Sequence, residues 1–126
     1  MSTAVANPAI ILVDDDPDIL RLLQLIINSL ATGYTILTCT DADVALEQAM
    51  QQPTPLIITD YNLPGMNGLQ LTAALKARAP ATRVVLITAH ATPDLEQRAR
   101  DRGVDYLLPK PFQLDPLIQI VQVALA

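Results

Sequence analysis

Aromatic residues make up only 3% of this chain, and there is no tryptophan. Its core must therefore be assembled from Leu, Ile, Val and Ala. Basic residues are also few: 8 Lys and Arg stand against 13 Asp and Glu, a formal net charge of -5. No basic cluster interrupts that balance, which argues against direct binding to nucleic acid. The single cysteine, Cys39, excludes an internal disulfide and fits a reducing compartment. It lies in Ile36-Leu37-Thr38-Cys39, where a small packed side chain is the expected role. The one histidine, His90, has no Cys or second His nearby to form a transition-metal site. No apolar run approaches a membrane span, and Met1 to Pro8 lacks the charged and apolar parts of a leader. The expected location is cytoplasmic.

Five short apolar runs alternate with five helical patterns. Ile10–Val13, Leu56–Ile58 and Val84–Ile87 are continuously apolar, as parallel strands covered on both faces should be. Thr35-Ile36-Leu37-Thr38 is mixed and suits a sheet edge. Tyr106-Leu107-Leu108 is the fifth. Between them, Asp16-Pro17 opens a helix that runs through Ile19–Leu30, with Gly33 fitting its end. Asp41 caps a second, in which Ala42, Ala45, Leu46, Ala49 and Met50 recur at helical spacing. Leu69–Ala79 is a third, and Thr92-Pro93 opens a fourth that Gly103 closes. The fifth spans about Leu114–Leu125, with Leu114, Leu117, Ile118, Val121 and Leu125 forming its expected apolar stripe. A βαβαβαβαβα order implies a doubly wound α/β sheet with right-handed crossovers. At 126 residues the expected organisation is a single domain over 1–126, with an ordered core of about 9–126 and no effector domain in the chain.

Chemistry gathers where strands end. Asp60 closes Leu56-Ile57-Ile58-Thr59 and opens into Tyr61-Asn62-Leu63-Pro64-Gly65-Met66-Asn67-Gly68. A carboxylate at the carboxyl end of a buried strand sits where open α/β sheets place their sites. A second apolar run ends in Asp14-Asp15-Asp16. If the two strands are neighbours, several carboxylates share one mouth and repel one another unless a cation or proton intervenes. Hard oxygen ligands in that number suit Mg2+ or Mn2+. Asp16 is better read as a helix cap than as a ligand.

Four pieces, in order and spacing, resemble the response-regulator receiver domain, the CheY-like family, over essentially the whole chain. They are Asp14-Asp15; Asp60 with Pro64 and Gly68 behind it; Thr88-Ala89 after Val84–Ile87; and Lys110-Pro111-Phe112. The resemblance implies a flavodoxin-like (βα)5 fold with a five-stranded parallel sheet of order 2-1-3-4-5. It makes Asp60 the phosphoacceptor of a two-component phosphorelay. It implies a cation held by Asp15, Asp60 and the Asn62 backbone carbonyl, with Asp14 acting through water. It gives the three terminal phosphoryl oxygens to the cation, to Lys110, aimed by a cis Lys110–Pro111 bond, and to Thr88 with the Ala89 N–H. The implied partner is a sensor histidine kinase or a histidine phosphotransfer protein. The implied role is that of a switch that takes part in its own phosphorylation and dephosphorylation, not an enzyme on external substrates.

One position departs from the family pattern. An aromatic usually stands three residues before the site lysine, and here that residue is Leu107. Tyr106 lies one residue earlier, on the opposite face of a strand. Phosphorylation chemistry is expected to survive, while its transmission from Thr88 to helix 4 and strand 5 should differ. The fourth helix has only Leu95 and Ala99 to bury, so it reads either as a solvated face or as a movable segment. Asn62 and His90 flank the site, where both can approach the hydrolytic water. A homodimer through helix 4, strand 5 and helix 5 is the assembly the family suggests, with Ile120 and Val123 as its expected outer residues. Two other classes compete. A haloacid-dehalogenase-type phosphohydrolase calls for Asp two residues after the nucleophile, where this chain has Asn62. A receiver-like module that binds partners without phosphorylation would not need Asp14, Asp15, Asp60, Thr88 and Lys110 all intact.

Overall fold

A computed structural model of the chain describes residues 7–31 and 33–126. The expected Met1–Pro8 reading falls largely outside them. Five strands, β1 (Ala9–Val13), β2 (Thr35–Cys39), β3 (Leu56–Asp60), β4 (Arg83–Thr88) and β5 (Tyr106–Pro109), alternate with five helices. These are α1 (Pro17–Leu30), α2 (Ala42–Gln51), α3 (Gly68–Arg78), α4 (Pro93–Arg102) and α5 (Leu114–Ala124). The sheet is parallel throughout, in the order β2-β1-β3-β4-β5. This is the flavodoxin-like fold.

The apolar strands are apolar because both faces are covered. Ile10, Leu12, Leu56, Ile58, Val85, Ile87 and Leu108 point to one side, against Leu20, Leu23 and Ile27 of α1 and Leu117 and Val121 of α5. Ile11, Val13, Ile57 and Val84 point to the other, against Ala42, Ala45 and Ala49 of α2 and Leu71 and Leu75 of α3. A smaller cluster joins Leu86 and Leu69 to Leu95 and Ala99 of α4, with Leu107 packed on it. The alternation of period two thus assigns each strand residue to a helix layer.

Helix starts follow their caps. Asp16, Asp41 and Thr92 accept from backbone N–H groups of α1, α2 and α4, and Asn67 forms a capping box with Gln70 at α3. α1 ends at Leu30, three residues before Gly33, which instead takes the left-handed turn into β2. The apolar stripe of α5 differs from the expectation. Leu114 is half exposed, and Ile118 belongs to none of the core clusters, whereas Ile120 and Ala124 pack on the core beside Leu117 and Val121. The packed positions are 117, 120, 121, 124 and 125, so Leu117, Val121 and Leu125 keep their expected place, while Ile120 and Ala124 take the place of Leu114 and Ile118. A helix this uniformly apolar offers periodicity little contrast.

Among the described residues, no helix is long and apolar enough to cross a membrane.

Candidate functional site

Register alone brings the expected residues together. Val13 pairs with Thr59, so the next residues, Asp14 and Asp60, leave adjacent strands side by side. Asp60 pairs with Ile87, and Thr88 follows. Thr88 pairs with Pro109, and Lys110 follows. All four therefore rise from the carboxyl edge of the three central strands and β5. Asp60 is 7% exposed, Asp14 2% and Thr88 fully buried, while Asp15, Asn62 and Ala89 lie at the exposed rim.

The turn behind Asp60 is fixed by a close approach. A Cβ on Gly68 would lie 2.6 Å from the Asp60 carbonyl oxygen and 2.6 Å from Leu86 Cδ1. The first turn of α3 packs directly onto the end of β3, and only glycine permits it. The Gly68 N–H donates to the Tyr61 carbonyl at 2.9 Å, closing the loop that presents Asn62. Gly65, with φ 74, makes the left-handed bend inside that loop.

Electrostatics at the mouth are unbalanced. One carboxylate oxygen from each of Asp14, Asp15 and Asp60 falls within 4.8 Å of the others. Lys110 Nζ lies 3.2 Å from Asp14 Oδ2 and 3.2 Å from Asp60 Oδ1. Three carboxylates against one ammonium leave two negative charges over, the charge of one divalent cation. Oxygens on one octahedral Mg2+ stand about 2.9 Å apart when adjacent and about 4.2 Å apart when opposite, so the acids are near enough to share one ion after an inward shift or with one of them acting through water. The donor set is all oxygen and partly open to water, which fits Mg2+ or Mn2+ and not a softer metal.

Burial pushes the Asp60 carboxyl above its ordinary range; the Lys110 hydrogen bond pulls it back, and the Asp14 charge adds to the rise. For Lys110, burial works to lower the value, but the bonds to Asp60 and Asp14 prevail and hold the ammonium above its ordinary value. The Lys110 ammonium is thus held in its charged form between the two acids. Both Asp14 oxygens are engaged, Oδ1 by the Asp16 N–H at 2.9 Å and Oδ2 by Lys110.

Other expectations can be placed. Asp16 caps α1, its Oδ1 accepting from the Asp18 N–H. Cys39 is buried, and burial raises its thiol, followed by the Asp41 charge. The Lys110–Pro111 peptide is cis, as the resemblance implies. Leu107 faces α4, while Tyr106 packs on the α1/α5 side of the sheet. His90 is exposed, and its backbone N–H donates to Thr88 Oγ1 at 3.1 Å.

Two features escaped the sequence. Ile19, Leu22, Ala89, Lys110, Pro111 and Phe112 line a largely apolar cavity of about 430 Å3 beside the site. Leu22 of α1, in this lining, is 46% exposed. At the opposite end of the sheet, Lys76 Nζ donates to Asp105 Oδ2 at 2.8 Å in a mostly buried pair, whose 29-residue separation gives no local signal.

With this geometry in hand, a family model for the response regulator receiver domain matches residues 10–122. The chain belongs to that family. It is a receiver domain of the two-component type, a signalling switch, and phosphorylation on an aspartate is the mechanism of the family. The chain is 34% identical over 116 residues to the transcriptional regulatory protein GlrR of Escherichia coli K12, covering 92% of this chain and 26% of that protein. It is 30% identical over 125 residues to PrrA of Mycobacterium tuberculosis H37Rv, covering 99% of this chain and 53% of that one. The chain therefore spans about a quarter to about half the length of these relatives. Among solved structures, the signal receiver domain of an HD domain-containing protein from Pseudomonas fluorescens Pf-5 superposes with a TM-score of 0.86 at 30% identity, over 95% of both chains. The receiver domain of sensor histidine kinase PA1611 from Pseudomonas aeruginosa PAO1, described with a magnesium ion coordinated in its active-site cleft, gives 0.80 at 27% identity, over 94% of this chain and 97% of that one.

Proposed function

We propose that Asp60 is the phosphoacceptor of this receiver and that a sensor histidine kinase or histidine phosphotransfer protein supplies the phosphoryl group. The observation that carries this reading is the convergence of Asp14, Asp15, Asp60 and Lys110 in one acidic mouth. A carboxylate oxygen of Asp60 attacks phosphorus in line, the P–N bond of the donor phosphohistidine breaks, and its electron pair leaves with the imidazole. Asp15, Asp60 and the Asn62 carbonyl would hold Mg2+ or Mn2+, with Asp14 reaching it through water because both Asp14 oxygens already have partners. Bound there, the cation offsets charge on the transferring group. Lys110 pairs with one terminal oxygen; the Thr88 hydroxyl and the Ala89 N–H donate to another.

The residues 9–126 act as one receiver unit in this reading, supported by a single sheet with helices on both faces. A cytoplasmic setting goes with it, supported by a lone packed thiol. The apolar cavity bounded by Ile19, Leu22 and Phe112 is the proposed seat of the phosphodonor, since it borders Lys110 and lies beside the path to Asp60. Phosphorylation then favours a homodimer through α4, β5 and α5, for which Val123 at 63% exposure is a suitable outer residue. Ile120 is withdrawn from that role because it packs on the core.

Incubation with Mg2+ and acetyl phosphate tests the central step. Intact mass should show a single phosphoryl adduct that EDTA prevents and Asp60→Asn lacks. An adduct that persists in Asp60→Asn would refute the assignment.

A further inference from the structure

The two edges of the sheet are finished very differently. β5, at one edge, ends in Pro109 and stands between Asp105 and Lys110. Glu96 and Arg100 of α4 line a cavity of about 240 Å3 along Tyr106 and Leu107. Proline and flanking charge are common guards of an exposed edge, because they discourage pairing with another strand. β2, at the other edge, lacks both. Gly33-Tyr34-Thr35-Ile36-Leu37-Thr38-Cys39-Thr40 holds no charged residue and no proline. Its Tyr, Thr and Ile favour extended backbone.

Hydrogen bonding to β1 uses alternate residues of β2. The Thr35 N–H donates to the Pro8 carbonyl at 2.9 Å, and the Cys39 carbonyl accepts from the Asp14 N–H at 3.1 Å. In this parallel register Thr35, Leu37 and Cys39 face β1, so Ile36 and Thr38 turn their N–H and C=O groups away from the sheet. Among the described residues, no strand lies on that side. The helix flanks beside the edge are neutral too. On α1, the flank turned from the Ile19–Leu22 cavity carries Gln24 and Asn28, with Arg21 held by Asp18. On α2, Asp43 and Glu47 line a groove shared with Leu46 and Arg78 of α3. That leaves Val44, 43% exposed, and Gln48 on the flank toward β2. Asp41, just past the strand, turns its carboxylate into the α2 cap. This is a neutral strip on a chain of formal net charge -5.

We propose that the β2 edge docks a second copy of this chain by antiparallel β2–β2 pairing about a twofold axis at Leu37. The register follows from the outward groups. Ile36 and Thr38 of the second copy exchange N–H···O=C bonds in both directions, and the symmetric pair does the same. Leu37 then stands opposite Leu37 in the closer, non-hydrogen-bonded kind of pair. The twofold sets α1 beside α1 and α2 beside α2, so each flank meets its like. Gln24, Asn28 and Gln48 each carry a donor and an acceptor, and an amide can pair with its own copy. A charged flank would repel itself there. This self-complementarity favours a second copy over a foreign strand. The contact joins two five-stranded sheets into one. It lies at the far edge from β5, so it does not compete with a dimer through α4, β5 and α5. It needs neither cation nor phosphoryl group.

Amide hydrogen exchange of the full chain, without Mg2+ or any phosphoryl mimic, reads the edge directly at two protein concentrations about a hundredfold apart. The Ile36 and Thr38 amides should slow about tenfold at the higher concentration, while Leu37 and Cys39, bonded to β1, exchange slowly at both. Sedimentation should show a dimer at the higher concentration in the parent and equally in Val123→Glu. Thr38→Lys, which sets like charges on the paired strands, should weaken that dimer about tenfold. The exchange measurement on the parent needs no β2 variant, so it decides the matter even if Thr38→Lys folds poorly. A parent that stays monomeric, with Ile36 and Thr38 exchanging alike at both concentrations, overturns the second copy and leaves the edge to an extended segment of another protein. A dimer that leaves these two amides unprotected, that folded Thr38→Lys retains, or that Val123→Glu abolishes, overturns the β2 interface.

Discussion

Asp60 is held in a state that invites a cation. Burial raises its carboxyl in the fold, so relative to the unfolded chain the protonated form is favoured. A raised folded value contributes stability that is fully present below the unfolded value and is lost as pH rises through the folded one. Without divalent cation, Asp60→Asn should therefore unfold at a higher temperature than the parent at neutral pH, and the gap should close as pH falls toward the ordinary carboxylate range. Thermal melts across that range check it. Adding Mg2+ should reverse the order, because only the parent gains binding energy; at a hundred times Kd that gain is about 2.7 kcal/mol. Asp15→Ala should abolish Mg2+-dependent phosphorylation without lowering the melting temperature, since it removes one of three crowded charges. A variant that still phosphorylates normally would misplace the cation.

At the scale of elements, α1 carries two duties on two faces. Leu23 and Ile27 are buried in the core, while Leu22 lines the cavity beside the site. Leu22→Glu should leave phosphorylation by acetyl phosphate intact and slow transfer from a protein phosphodonor about tenfold, the effect of about 1.4 kcal/mol at a contact anchor. Equal slowing with both donors would remove the docking role. Helix boundaries were legible in advance because caps are local: Asp16, Asp41, Thr92 and Gly103 announce them from neighbouring residues. Strand order and the meeting of Asp14, Asp60, Thr88 and Lys110 were legible only through the family resemblance; apolar runs fix neither neighbours nor register. The α5 face was read correctly at Leu117, Val121 and Leu125 and wrongly at Leu114 and Ile118, because Leu114, Ile118 and Ile120 are equally apolar and only tertiary packing separates them. The Lys76–Asp105 pair and the exposure of Leu22 depend on how distant elements meet, which composition does not encode.

For the whole molecule, the sheet collects charge at its carboxyl edge, away from its least anchored helix layer. The α4 cluster is the smallest of the three, and α4 is the only helix held by just two buried residues besides α5, which adds Ile120 and Ala124. A modest coupling is expected, with beryllofluoride strengthening the dimer about tenfold, or ~1.4 kcal/mol. Sedimentation should show that shift in the parent and not in Val123→Glu; a monomer in both states would remove the dimer. The most direct test of the account is the location of the phosphoryl group. After reaction with acetyl phosphate and Mg2+, borohydride reduction converts an aspartyl phosphate to homoserine, and peptide mass mapping finds the altered residue. The account predicts homoserine at position 60 alone. Reduction at Asp14 or Asp15, or a phosphorylated chain with Asp60 untouched, would contradict it.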